Sequence, residues 1–125
     1  MPRVIHFEFM AQDPVRASQF YSDIFGWSIT KWDGPADYWL VTTGEDGTPG
    51  INGGIAQSKD TNMPGLTVNT VEVPSVDEYA AKVTDHGGTV VMPKMTIPGV
   101  GYLVYCKDTE GTIFGILQVD RNAQA

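Results

Sequence analysis

The chain has 125 residues, of which 42% are apolar and 18% charged, and this composition is ordinary for a single soluble globular domain. Eight Lys and Arg against fifteen Asp and Glu give a formal net charge of −7, and the basic residues are scattered singly, which argues against nucleic acid as a partner. Apolar runs stay far below the ~18 residues of a membrane span and no secretory signal is visible, so we expect a cytoplasmic protein without a membrane partner.

The first half of the sequence predicts the element order βαβββ over residues 3–57, called module one below. Residues 4–10 alternate and are rich in β formers, which predicts a strand. Asp13 is a good helix N-cap, apolar residues then recur at helical spacing, and Gly26 ends the helix. Three more strands are predicted at 27–31, 38–43 and 50–57. The aromatic residues expected to pack this helix on its sheet are Phe7, Phe9, Phe20, Tyr21 and Phe25.

The second half repeats this order over residues 66–119, called module two below. Ser75 and Glu78 have the spacing of a capping box at the start of a helix that Gly87 ends. The flanking strands are predicted at 67–73, 89–92, 101–106 and 112–119. A tandem repeat of this kind predicts an α+β fold of two βαβββ modules, whose open sheets meet at a seam that forms a cleft. The single cysteine, Cys106, falls in an alternating strand and is expected to be a buried structural thiol.

Three segments carry a resemblance to a known superfamily. They are HFEFMAQDPVRASQFYSDIFGW near the start, VPSVDEYAAKVTDHGGTVV in the middle and YCKDTEGTIFGILQ near the end. Together they resemble the vicinal-oxygen-chelate superfamily, which includes glyoxalase I, bleomycin-resistance proteins and extradiol dioxygenases. The resemblance covers nearly the whole chain and implies tandem βαβββ modules that form a curved mixed sheet around a central cleft. Symmetric dimers are common among such proteins, so we expect a homodimer.

The resemblance also implies where a divalent metal would be held in members that use one. The four ligand positions fall on His6, near Leu40 or Val41, near Val68 with Thr67 and Asn69 beside it, and on Gly115. Three of these positions offer neither imidazole nor carboxylate, and a catalytic metal needs about three protein ligands. We therefore expect no cofactor and keep a divalent metal as the alternative, with His6 the only well-matched ligand position.

His6 and Glu8 are the candidate catalytic residues. They are two positions apart on a strand, so both side chains point to one face of the sheet. Glu8 could orient the imidazole in an acid–base pair, the two could be half of a rebuilt metal site, or they could be a hydrogen-bonded pair without a function. The sequence leaves these three interpretations open.

Five further residues are candidate ligand contacts. Trp39 and Tyr102 could stack on a planar ligand, and they are chosen from a set of strand aromatics that also contains Tyr38 and Tyr105. Asn52 and Asn69 could orient a ligand or merely satisfy strand ends. Lys94 lies in the predicted loop 92–102, where it could grip an anionic ligand or stay solvated. Core packing is the competing explanation for the aromatic residues.

These patterns support three hypotheses about function. The first is metal-independent binding of a small organic molecule in the cleft between the modules, as bleomycin-resistance proteins do by sequestration. The second is a metal-dependent lyase, isomerase or dioxygenase of the glyoxalase type that uses His6 and Glu8. The third is a module that acts through partner proteins and has an idle cleft.

Overall fold

A computed structural model describes residues 1–58 and 66–124 of the chain. Within these ranges two helices and nine strands are present. In chain order they are β1 (Arg3–Ala11), α1 (Pro14–Phe25), β2 (Ser28–Lys31), β3 (Tyr38–Thr42), β4 (Gly53–Gln57), β5 (Thr67–Glu72), α2 (Val76–Asp85), β6 (Thr89–Val90), β7 (Met95–Ile97), β8 (Gly101–Lys107) and β9 (Ile113–Val119). No helix in the described ranges is long and apolar enough to cross a membrane.

The same strand pairing occurs twice along the chain. In module one β1 pairs with β4 in parallel, β4 pairs with β3 and β3 with β2, both antiparallel. In module two β5 pairs with β9 in parallel, β9 pairs with β8, and β8 with β6 and β7, all antiparallel. The predicted α+β fold of tandem βαβββ modules is therefore confirmed. The chain divides into two compact units. One is His6–Thr67, and the other consists of Val68–Ala125 together with the N-terminal residues Met1–Ile5.

Both helices begin at the residues that the sequence predicts, and α1 also ends at its predicted residue. The Asp13 carboxylate accepts a hydrogen bond from the Arg16 backbone N–H at 3.1 Å, and the Ser75 hydroxyl oxygen accepts one from the Glu78 N–H at 3.2 Å. Gly26 ends α1 at φ 72°, a left-handed conformation that glycine adopts without steric cost. The second helix ends at Asp85, one residue before its C-cap, His86.

Three predicted segments differ from the structure by two residues or more, and one of them, the strand predicted at 89–92, ends at Val90. The strand predicted at 50–57 begins only at Gly53, since the Asn52 side chain accepts a hydrogen bond from the Thr43 N–H at 2.9 Å and closes the preceding turn. The prediction of a loop over 92–102 is wrong for Met95–Ile97, which forms β7 along β8. Pro93 has no N–H to donate to a ladder, and it separates this strand from the short β6.

The core of module one lies between its sheet and α1. Phe7, Phe9 and Tyr21 form a chain of ring contacts with centroids 4.9 and 5.0 Å apart, and Trp27 lies 5.5 Å from Tyr21. Val41 and Ile55 are buried on the same side of the sheet as Phe7 and Phe9. The prediction that Phe20 and Phe25 belong to this core is wrong, because these side chains are 57% and 58% exposed.

The core of module two lies between its sheet and α2. It consists of Val73, Val76, Val104, Cys106 and Ile116, with Tyr79, Tyr102 and Phe114 packed against them. Cys106 is fully buried, as the alternating strand predicts, and this burial raises the pKa of its thiol.

Candidate functional site

The strand register of module one sorts its side chains onto two faces. Glu8 and Leu40 both pair with Gly54, so these three residues form one row across the sheet. Because side chains alternate along a strand, residues at even positions of β1, β3 and β4 point away from α1. We call this side the open face; its residues include His6, Glu8, Met10, Tyr38, Leu40, Gly54 and Ala56.

A hydrogen bond between two strands is the central polar feature of the open face. His6 Nε2 and the Tyr38 hydroxyl oxygen lie 2.7 Å apart, and the two ring planes are 18° from parallel. Burial lowers the pKa of His6, so the imidazole is neutral at neutral pH. A neutral imidazole can donate a hydrogen bond from Nε2–H to the phenol oxygen, or accept one at Nε2 from the hydroxyl, according to its tautomer. The hydroxyl is therefore the donor or the acceptor of this hydrogen bond according to the imidazole tautomer.

Glu8 shares this face with His6. Its side chain is only 7% exposed, and carboxylates buried to this degree in folded proteins are hydrogen-bonded or paired. The backbone spacing that the sequence predicts for the two residues holds, since both lie within β1 at even positions. Their catalytic roles stay a prediction.

Two glycines make room for the aromatic rings of the site. A Cβ atom at Gly54 would overlap the ring and hydroxyl of Tyr38, and a Cβ atom at Gly34 would overlap the indole of Trp32. The Trp32 backbone N–H donates to the Tyr38 carbonyl at 2.8 Å and closes the turn between β2 and β3. The two rings meet edge to face at 82°, with centroids 6.4 Å apart. The rings of Tyr38 and Trp32 therefore pack directly against the backbone of Gly54 and Gly34.

Two of the sequence-predicted ligand contacts in module one lie away from this pair. Trp39 pairs with Ile55 and so lies on the side of α1, where the Lys31 ammonium is 5.6 Å from its ring centroid. Asn52 is engaged in the turn before β4 through its bond from Thr43. The structure does not bring either residue to His6.

The predicted contacts in module two lie on its α2 side. Asn69 pairs with Phe114, and Tyr102 packs against the same core. The Lys94 ammonium is 3.3 Å from an Asp77 carboxylate oxygen and 5.4 Å from the Tyr102 ring centroid. Lys94 and Tyr102 are therefore brought together, but at a surface ion pair on α2 and not at an open sheet face.

The side chains present do not fit the metal centre that the superfamily resemblance implies. Among the described residues, no three His, Cys, Asp or Glu side chains converge. His6 Nε2 is already hydrogen-bonded to Tyr38, and the partner position on β3 is Leu40. At Gly115 a Cβ would lie 3.2 Å from the Thr70 hydroxyl, which is a weak metal ligand.

Tyr38 and Trp32 are the site residues that sequence reasoning did not choose. Tyr38 is one of four strand aromatics in the sequence, and the predicted ligand contact, Trp39, is its neighbour along β3, so the two side chains lie on opposite faces of the sheet. Gly53 and Gly54 lie on opposite faces of β4, so the glycines do not distinguish Tyr38 from Trp39 before the register is known.

Comparisons with known proteins agree on the fold. A family model described as the Glyoxalase/Bleomycin resistance protein/Dioxygenase superfamily matches residues 3–116. No curated protein sequence matches the chain significantly.

Solved structures of the same architecture cover almost the whole chain. The methylmalonyl-CoA epimerase of Mycobacterium tuberculosis superposes with a TM-score of 0.71 at 12% identity, covering 94% of this chain and 87% of that one. A variant of the Streptomyces coelicolor methylmalonyl-CoA epimerase in complex with 2-nitronate-propionyl-CoA gives 0.72 at 13% identity, covering 98% of each chain. A hypothetical protein of Bacillus halodurans gives 0.74 at 8% identity, covering 99% of each. At these identities the likeness establishes the fold alone.

Proposed function

We propose that this chain, which belongs to the glyoxalase/bleomycin resistance protein/dioxygenase superfamily, binds a small organic molecule on the open face of module one without a bound metal. The observation that carries the proposal is the His6–Tyr38 hydrogen bond beside the edge of Trp32. Sites for small molecules combine aromatic walls with a few fixed polar groups, and this face has both. Because Gly54 and Gly34 fix the two rings, little side-chain entropy is lost when a ligand binds.

The binding surface is tested with ligand-induced changes in tryptophan fluorescence and thermal stability across a library of planar organic molecules. Trp32→Phe and Trp39→Phe form a matched pair, since the two tryptophans lie at opposite ends of the β2–β3 turn and Trp39 faces α1. A ligand of the open face should bind the Trp39→Phe variant as it binds the wild type and bind Trp32→Phe more weakly. A ligand that is lost with Trp39 and kept without Trp32 would place binding on the other face.

The competing function is a metal-dependent lyase, isomerase or dioxygenase that uses His6 and Glu8. The donor set argues against it, because His6 and Glu8 supply at most two ligands on this face and Leu40 supplies none. Elemental analysis and thermal shifts with Ni²⁺, Zn²⁺, Mn²⁺, Fe²⁺ and Mg²⁺ decide between the two. A stoichiometric metal, or a stabilisation by one metal that His6→Ala abolishes, would make the enzyme the better conclusion.

A homodimer is the second part of the proposal. Its support is the exposed apolar surface of α1, where Val15, Phe20, Ile24 and Phe25 are each more than half exposed. Sedimentation of the wild type and of an Ile24→Asp variant tests it. We expect twice the chain mass for the wild type and a shift toward the single-chain mass for the variant; a wild-type monomer at all concentrations would refute the dimer.

A further inference from the structure

We infer that a second copy of this chain packs antiparallel on α1, across a twofold axis that passes between Gln19 and Phe20. Arg16 of each copy then lies opposite Asp23 of the other. The inference rests on the homodimer of the proposed function and adds the surface that forms it and the orientation of the two copies. It follows from the order of the exposed side chains along the helix.

The outer side of α1 carries a continuous stripe of exposed residues. Exposed positions recur as adjacent pairs four residues apart, which is the spacing of one helix face. The members of the stripe are Val15, Arg16, Gln19, Phe20, Asp23 and Ile24. Phe20 and Ile24 lie one turn apart on one flank of the stripe and are 57% and 54% exposed, so this flank offers apolar area for a partner to cover. Phe25 is exposed as well, but its ring packs on Trp27 and lies off the stripe.

Two opposite charges lie on the centre line of the stripe. Arg16 and Asp23 are seven residues apart, about 20° short of two full turns, so their side chains leave nearly the same line of the helix surface about 10 Å apart. A twofold axis midway between them and perpendicular to the helix brings Arg16 of each copy opposite Asp23 of the other. A parallel arrangement would place each charge opposite its own copy, which is unfavourable. The charges therefore select the antiparallel orientation.

The stability of α1 itself does not explain where these charges stand. Arg16 is in the first turn and Asp23 in the last, whereas a helix is stabilised by acidic residues at its start and basic residues at its end. Among the described residues, no ion pair includes the Arg16 guanidinium. The Asp23 carboxylate accepts a hydrogen bond from the Gln19 amide at 2.7 Å, and its remaining lone pairs can accept from Arg16 of a second copy.

Apolar contacts supply most of the stabilisation in this arrangement. Under the same axis, the flank that carries Phe20 and Ile24 meets the same flank of the second copy. Phe20 lies within one residue of the axis, so the two Phe20 rings meet there, each with Ile24 of its own helix beside it. Burial of these side chains favours association, whereas exposed ion pairs add little free energy and mainly fix the orientation.

Two charge reversals and their mixture test the orientation. Arg16→Asp and Asp23→Arg each put like charges at both contacts of the dimer, so sedimentation of the full chain should show each variant associating at least about tenfold more weakly than the wild type. An equimolar mixture of the two variants restores opposite charges at both contacts and should associate about tenfold more tightly than either variant alone. Recovery on mixing also requires that both variants are folded.

A control variant and the wild type separate the possible outcomes. Arg121→Asp makes the same change in net charge at an exposed residue of the other compact unit, and it should associate as the wild type does. A wild-type dimer that neither reversal weakens, or one that both weaken without recovery on mixing, would overturn the antiparallel pairing on α1 and leave the homodimer standing. A wild-type monomer at all concentrations would overturn the homodimer itself.

Discussion

Replacing Gly54 by alanine tests whether the backbone of β4 holds the site together. The three atoms nearest to a Cβ at this position all belong to Tyr38, and they lie within overlap distance. Gly54 is not among the glycines with positive φ, so alanine fits the local backbone and the added methyl acts only through the ring. The Tyr38 ring must therefore move away from Gly54, and its hydrogen bond to His6 must break.

The expected change in the free energy of unfolding follows from three contributions. Overpacking costs about 1–3 kcal/mol, and the lost hydrogen bond about 0.5–1.5 kcal/mol. Replacing a strand glycine by alanine returns about 0.5–1 kcal/mol. We expect Gly54→Ala to destabilise the protein by about 1–3 kcal/mol, a value that these contributions bracket.

A double-mutant cycle separates the ring from the backbone. Equilibrium denaturation is measured for the wild type, Gly54→Ala, Tyr38→Ala and the double variant. In the Tyr38→Ala background the added methyl meets open space, so Gly54→Ala should become neutral or slightly stabilising, with a coupling energy of about 2 kcal/mol between the two positions. An equal loss of stability in both backgrounds would show that glycine is needed at position 54 for the backbone of β4 and not to accommodate the Tyr38 ring.

Three further predictions concern titration, packing and helix capping. Burial lowers the pKa of His6, so as the pH falls the unfolded chain is protonated at this residue before the folded chain is. The free energy of unfolding of the wild type should therefore fall more steeply than that of His6→Gln below about pH 6.5. Parallel pH profiles of the two proteins would contradict this. Ile55→Ala should cost about 2–5 kcal/mol in urea denaturation because the side chain is fully buried, against less than about 0.5 kcal/mol for the partly exposed Ile51→Ala. Ser75→Ala should cost about 1 kcal/mol through the lost cap of α2, and Ser75→Asp should restore most of it.

The features that the sequence predicts well are those decided by neighbouring residues. Asp13, Ser75 and Gly26 mark helix ends because a cap joins groups three or four residues apart, and such chemistry is visible in a short window. The repetition of these signals along the chain then identifies the tandem architecture. Pro93 and nearby glycines indicate a loop where β7 forms, because this strand depends on its pairing with β8 and not on its local sequence.

The face that each strand residue occupies is decided by distant partners. Tyr38 and Trp39 have the same type, neighbourhood and β propensity, and only the register between β3 and β4 assigns one to the open face. That register in turn relates to His6 through the parallel pairing of Phe7 with Gly53, across 46 positions of the chain. A local pattern carries no information about pairing over such a distance. The sequence therefore predicts His6 and Glu8 of the site but not Tyr38 and Trp32.

The distribution of rare residues gives each half of the chain its own reporter. All three tryptophans, Trp27, Trp32 and Trp39, belong to the unit His6–Thr67, while the one cysteine, Cys106, lies fully buried in the other. Indole emission therefore follows the opening of one half, and the rate at which a thiol reagent labels Cys106 follows the opening of the other. The natural sequence can thus show, without any added label, whether its two halves unfold as one cooperative body or in turn.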